Sequence, residues 1–130
     1  MRVLIADDRS SVRAALMAVL ELDPACEGVD EALDAAGALT ALDFGADVMI
    51  LEWGLPGLPP ATLVGLARTQ RPELIVVVLG RYGDAQRGAL AAGADHYIDT
   101  SEPALDFVGI LHGLCPQWRA ATRQSVPEQL

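Results

Sequence analysis

The side chains able to do chemistry sit at a few separated points. Paired acids, Asp7 and Asp8, come directly after one short apolar run, and Glu52 after another. Gly80 and Arg81 come after a third, and Thr100 lies three residues after Tyr97. Acids in these places repel a dinucleotide phosphate, and no G-x-G-x-x-G succeeds the first run. All nine basic residues are arginines, so there is no lysine for a Walker-type loop, a Schiff base or a phosphoryl clamp. His96 and His112 share no ligand spacing with each other or with the acids, and no Ser-His-Asp or Cys-His grouping can be argued. Cys26 and Cys115 form no C-x-x-C and read as small hydrophobes in a reduced, cytoplasmic chain.

A chain of 130 residues, 52% of them hydrophobic, is one domain with a core that needs no disulfide or structural metal. Nine basic against 18 acidic residues give a net charge of −9. Such a chain is a poor ligand for nucleic acid or an anionic membrane. The apolar run at the N-terminus is too short for a signal peptide, and no run is long enough to span a bilayer.

The elements that must position these residues alternate. Val3 to Ala6 reads as a buried strand. Ser10 or Ser11 then caps a helix to about Leu22, with Val12, Ala15, Leu16, Val19 and Leu20 on its apolar face. A weaker strand is expected over 27–32 and a helix over 35–44, stopped by Gly45. Asp47 to Leu51 is the next strand, ending at Glu52, before a loop at Trp53 to Gly57. A helix opened by Pro59 or Pro60 closes at Arg71-Pro72. Leu74 to Leu79, rich in β-branched residues, is the strongest strand signal. Asp84 caps a helix to Ala92, a short strand covers 95–98, and a last helix runs from about Glu102 to Leu114. Five βα units of this kind imply an α/β fold, a doubly wound parallel sheet with helices on both faces. Its working site lies at the carboxyl ends of the strands, at Asp7, Asp8, Glu52, Gly80 and Thr100. A folded domain is expected over 1–115, with a polar tail or linker over 116–130.

With its elements in this order, the sequence resembles the receiver domain of two-component response regulators. Val3-Leu4-Ile5-Ala6-Asp7-Asp8 is similar to the family's first strand and acidic pair, and Arg9-Ser10-Ser11-Val12-Arg13 to the start of its first helix. Asp47 to Leu51 with Leu55-Pro56-Gly57 resembles the third strand and its loop, and Ala92 to Ile98 the approach to the fifth. The resemblance covers 2–114 and implies a flavodoxin-like sheet of order 2-1-3-4-5. It also implies a phosphoryl-accepting aspartate after the third strand, magnesium beside the acidic pair, a hydroxyl after the fourth strand and a lysine after the fifth. A phosphoryl group brings close to two negative charges into a carboxylate site, so it needs those partners. Here the acceptor position holds Glu52, the hydroxyl position Gly80, the next position Arg81, and the lysine position Thr100. The expectation is a degenerate receiver that does not run the phosphorylation cycle.

Each residue has a second reading. Asp8, Glu52 and the Gly54 carbonyl are the candidate magnesium ligands, although glutamate overreaches the usual ligand position; alternatively Asp7 or Asp8 merely caps the first helix. Magnesium is thus optional, and no cofactor is required. Glu52 either mimics a phosphorylated aspartate or pairs with Arg81, the nearest expected cation, in a bidentate contact that competes with magnesium. Tyr97 matches the family's switching aromatic, held in one orientation because Gly80 leaves space, or is an ordinary strand tyrosine. Trp53 packs under its loop or anchors a partner. On the last helix Leu105, Phe107, Val108 and Leu111 belong to an apolar arc wider than one core-facing helix needs. That arc is covered either by a homodimer through the fourth helix, fifth strand and fifth helix, or by the tail folding back.

The function expected is therefore non-enzymatic: a phosphorylation-independent signalling module whose output is protein contact. The alternatives are magnesium-dependent phosphoryl acceptance at a non-standard acid, or a regulatory fragment of a DNA-binding transcriptional regulator. A flavodoxin-like or nucleotide-binding enzyme fits the fold but lacks the loops.

Overall fold

Period-two alternation of apolar residues along three strands is what builds the two cores. In the computed structural model, Leu4, Ala6, Met49, Leu51, Val76 and Val78 face one side of the sheet, and Val3, Ile5, Val48, Ile50, Val77 and Leu79 the other. All twelve are buried. A strand buried on both faces must be central and covered by helices on each side. The structure describes residues 1–81, 83–101, 107–114 and 118.

The elements are β1 (Arg2–Ala6), α1 (Ser10–Leu20), β2 (Gly28–Ala32), α2 (Ala35–Ala41), a 3₁₀ turn at Leu42–Phe44, and β3 (Val48–Glu52). Then come α3 (Pro60–Gln70), β4 (Ile75–Gly80), α4 (Asp84–Ala91), β5 (His96–Asp99) and α5 (Phe107–Leu114). The sheet is parallel throughout, in the order β2-β1-β3-β4-β5. Helices α2, α3 and α4 supply the first core, through Ala35, Ala38, Ala41, Leu63, Val64, Ala67 and Ala89. Helices α1 and α5 supply the second, through Leu16, Leu20, Phe107 and Leu111. Small residues dominate α2, which lets that helix lie close to the sheet.

The structure corrects several expectations, among them the Asp84 cap, since the cap position of α4 is Gly83. Neither serine caps α1: the cap position is Arg9, without a side-chain cap, and Asp7 Oδ1 accepts from the Arg9 backbone N–H at 2.9 Å. The helix stops at Leu20, leaving Leu22 84% exposed, while Ala15 and Val19 are exposed too. The apolar arc of α5 is narrower than expected, because Phe107 and Leu111 are interior residues of the second core rather than an interface, and Val108 is half-buried. Leu105 lies outside the described residues. The packed core also runs past residue 115, since Trp118 is fully buried in it.

Arginines fasten the lower ends of the strands. Arg68 donates to the carbonyls of Leu74 and Gly93, both at 2.6 Å, and to Asp95 at 2.7 Å. Arg71 donates to the Ala46 carbonyl at 2.7 Å. The loop after β3 turns at Gly57, with φ of 114°. A Cβ there would meet the Ala35 Cβ and backbone nitrogen, each at 3.2 Å. Gly57→Ala should therefore destabilise the protein by about 1–2 kcal/mol. Gly65, helical and with nothing within 4 Å of its would-be Cβ, should behave oppositely. Gly65→Ala should stabilise by about 0.5–1 kcal/mol, both read by urea unfolding.

Candidate functional site

Because β1 lies beside β3, with Ala6 paired to Leu51, the acids beyond these strands converge at one edge of the sheet. Asp7 is only 1% exposed. Glu52 is half-buried as the last residue of β3. Two carboxylates this close, in low dielectric, need a cation.

That cation is Arg9, not Arg81. Its Nε and Nη2 donate to Asp7 Oδ1 and Oδ2 at 3.0 and 2.9 Å, a bidentate pair. The same Nη2 donates to Glu52 Oε2 at 2.6 Å. Glu52 Oε1 accepts from the Gly54 backbone N–H at 3.3 Å. Asp7 is further fixed by Arg13, whose Nη1 donates to its backbone carbonyl at 2.8 Å. Arg81, by contrast, is exposed beyond the end of β4.

The electrostatics are set by this geometry. Hydrogen bonding to Asp7 holds the Arg9 guanidinium above its ordinary range against its own desolvation, with Glu52, Asp7 and Asp8 adding to the hold. Burial pushes the Glu52 carboxyl up, Arg9 and the Gly54 N–H pull it back, and Asp7 and Asp8 push it up again, for a net rise. Both Glu52 oxygens are thus engaged, Oε2 by Arg9 and Oε1 by the Gly54 N–H. Asp8 is exposed. Among the described residues no group of three His, Cys, Asp or Glu side chains is placed to hold a metal ion. The Arg9 guanidinium occupies the space between Asp7 and Glu52.

The other half of the site is filled by Tyr97. A Cβ on Gly80 would lie 2.8 and 2.9 Å from Tyr97 Cε2 and Cζ, and nearer still to the hydroxyl. The phenol ring therefore stands over Gly80, partly buried against the first core. Thr100 closes the same strand end from β5, its N–H and Oγ1 both directed to the Gly80 carbonyl, at 2.8 and 3.2 Å. Trp53 is half-buried beside α4, 3.6 Å from where a Gly88 Cβ would be.

The structure thus brings Asp7, Glu52 and Gly54 together, and Gly80, Tyr97 and Thr100 together. Arg9 is the residue that the spacing arguments passed over. Its signal was being the only cation directly adjoining the acidic pair.

Glu52 has a raised pKa in the folded state, so its contribution to stability is full below the ordinary carboxylate pKa and is lost as pH rises through the raised value. Glu52→Gln should accordingly stabilise the fold near about pH 7, with the gain vanishing near about pH 4, by thermal unfolding. Gly80→Ala should cost about 1–3 kcal/mol by overpacking against the Tyr97 ring. In a Tyr97→Ala background the same change should cost much less, which a double-mutant cycle measures.

The family model of the response regulator receiver domain matches residues 3–104 of this chain. A protein-glutamate methylesterase/protein-glutamine glutaminase from Cereibacter sphaeroides is 34% identical over 139 residues, covering 98% of this chain and 37% of that protein. The nitrate/nitrite response regulator protein NarP of Escherichia coli is 31% identical, over 75% of this chain and 46% of its own length. The chain therefore spans less than half the length of these relatives. Among solved structures, a CheY-like receiver domain protein from Methanospirillum hungatei superposes with a TM-score of 0.76 at 21% identity, covering 95% of this chain and 97% of that one.

Proposed function

The chain belongs to the response regulator receiver family, and from that premise we propose that it is a receiver withdrawn from phosphate control, a signalling module that works through protein contact. The observation that carries this reading is the Arg9 guanidinium bridging Asp7 and Glu52. In the family's cycle an incoming phosphoryl group is balanced by a divalent cation, a hydroxyl and a lysine. In this chain the cation is built into the sequence, and the counter-charge is already satisfied before any phosphoryl group arrives.

Three further features support the same reading. The acceptor position is a glutamate whose two oxygens are already hydrogen-bonded. The hydroxyl position, Gly80, has no side chain, and its space holds the Tyr97 ring. Thr100, where the lysine would be, is turned to a backbone carbonyl and carries no charge. On this reading magnesium is not required, no reaction is catalysed, and the pocket is held in one state. Output is then contact with a protein partner, including a second copy through α4, β5 and α5, a face that carries the 45% exposed Leu90.

The test is intact mass after incubation with a small acyl phosphate and magnesium. No added phosphoryl mass is expected. A stable phosphoryl adduct that disappears in Glu52→Ala would overturn the reading and make the site a working acceptor.

A further inference from the structure

At the end of the sheet away from the acidic site, the chain forms a cleft of about 660 Å³, a volume of the order that holds a small molecule. It opens where the chain enters β3 and β4, with Met1, Pro72, Leu74 and Ile75 as apolar walls and Asp47 and Arg71 among its polar groups. Arg71 stands at the C-terminal cap of α3, and its Nε donates to the Ala46 carbonyl at 2.7 Å. Asp47 follows Ala46 directly, and its Oδ2 accepts from the Arg2 backbone N–H at 2.8 Å. Two opposite charges thus line one cleft, each tied to a different stretch of backbone. Among the described residues Arg71 and Asp47 form no ion pair, with each other or with any other group. Both Nη nitrogens of Arg71 and Oδ1 of Asp47 have no hydrogen bond among the described residues. Most of the hydrogen-bonding capacity of both groups is therefore open.

We propose that this cleft binds a small zwitterion with an apolar body, of the class of an apolar amino acid or of a dipeptide with both ends free. A ligand carboxylate suits the open side of the Arg71 guanidinium, which can donate two parallel bonds to it. A ligand ammonium suits Asp47, with the exposed Glu73 in the same cleft as a second acceptor. The apolar body is left to the walls at Met1, Pro72, Leu74 and Ile75. Charge selects against simpler ligands. An anion alone would meet the carboxylates of Asp47 and Glu73, and a cation alone the guanidinium of Arg71. A ligand carrying both charges meets a partner for each. The cleft is at the amino ends of β3 and β4, so the proposal does not depend on the phosphate-independent reading of the site at their carboxyl ends.

The test titrates the full, isotope-labelled chain with L-leucine and with leucyl-leucine, and follows backbone amide shifts by NMR. Saturable shifts centred on the Asp47, Arg71, Glu73 and Ile75 amides are expected, and the tighter of the two ligands tells amino acid from dipeptide. N-acetyl-leucine lacks the ammonium and leucinamide lacks the carboxylate, so each should bind about tenfold or more weakly than L-leucine. Asp47→Asn and Arg71→Gln should weaken L-leucine and leucyl-leucine to a similar extent, the asparagine keeping an oxygen for the Arg2 N–H. Where Arg71→Gln fails to fold, Asp47→Asn and the two blocked ligands decide the matter. No saturable shift with either zwitterion, shifts centred elsewhere, or blocked ligands that bind as tightly as L-leucine would overturn the proposal.

Discussion

The guanidinium of Arg9 between Asp7 and Glu52 is the contact on which the acidic end of this molecule depends. A parallel sheet with β1 beside β3 forces the residues after those strands together. Here both strands end in acids. Two carboxylates facing each other out of bulk water repel, and each also loses hydration. A cation on the next residue but one from Asp7, reaching both, converts that repulsion into a bridged pair. The planar fork of arginine suits it to this, since it can grip Asp7 bidentately and still lend one nitrogen to Glu52. A mobile divalent ion leaves when conditions change, whereas a side chain does not.

The other half of the pocket is built around Gly80, Tyr97 and Thr100. A side chain at Gly80 and an inward ring at Tyr97 exclude one another sterically. With glycine present, the ring has a place to stand. Thr100, turned to the Gly80 carbonyl, ties the ends of β4 and β5 together. The proposed reading rests on these replacements together: Gly80 has no side chain, Thr100 is turned to a backbone carbonyl, and both Glu52 oxygens are hydrogen-bonded.

Much of the fold was legible because it is written in short-range pattern. The continuous apolar runs of β1, β3 and β4 mark strands buried on both faces, and Pro60 and Gly45 punctuate the helices between them. The edge strand β2 was weaker because Asp30 and Glu31 interrupt it. The identity of the acidic cluster was legible too, since strand ends gather in this topology. Which arginine serves it could not be read. Arg9 and Glu52 are 43 residues apart, and only the register of β1 on β3 brings them within a hydrogen bond. Arg81 was the natural choice from strand adjacency, yet it is exposed beyond the end of β4. Trp118 was missed for a related reason. It comes after Pro116 in a stretch with no periodicity, and its partner Asp23 looks in sequence like a simple helix stop.

The Arg9 guanidinium bridges Asp7 and Glu52, and the proposal that it takes the place of a metal ion is tested most directly by thermal unfolding of wild-type protein and Arg9→Ala, with and without millimolar magnesium. Wild-type Tm should not move with magnesium. Arg9→Ala should melt several degrees lower, and magnesium should restore part of the loss by binding the acids that the guanidinium has vacated. A wild-type protein that gains as much from magnesium as the variant would contradict this, because the guanidinium would then not be the cation of the site.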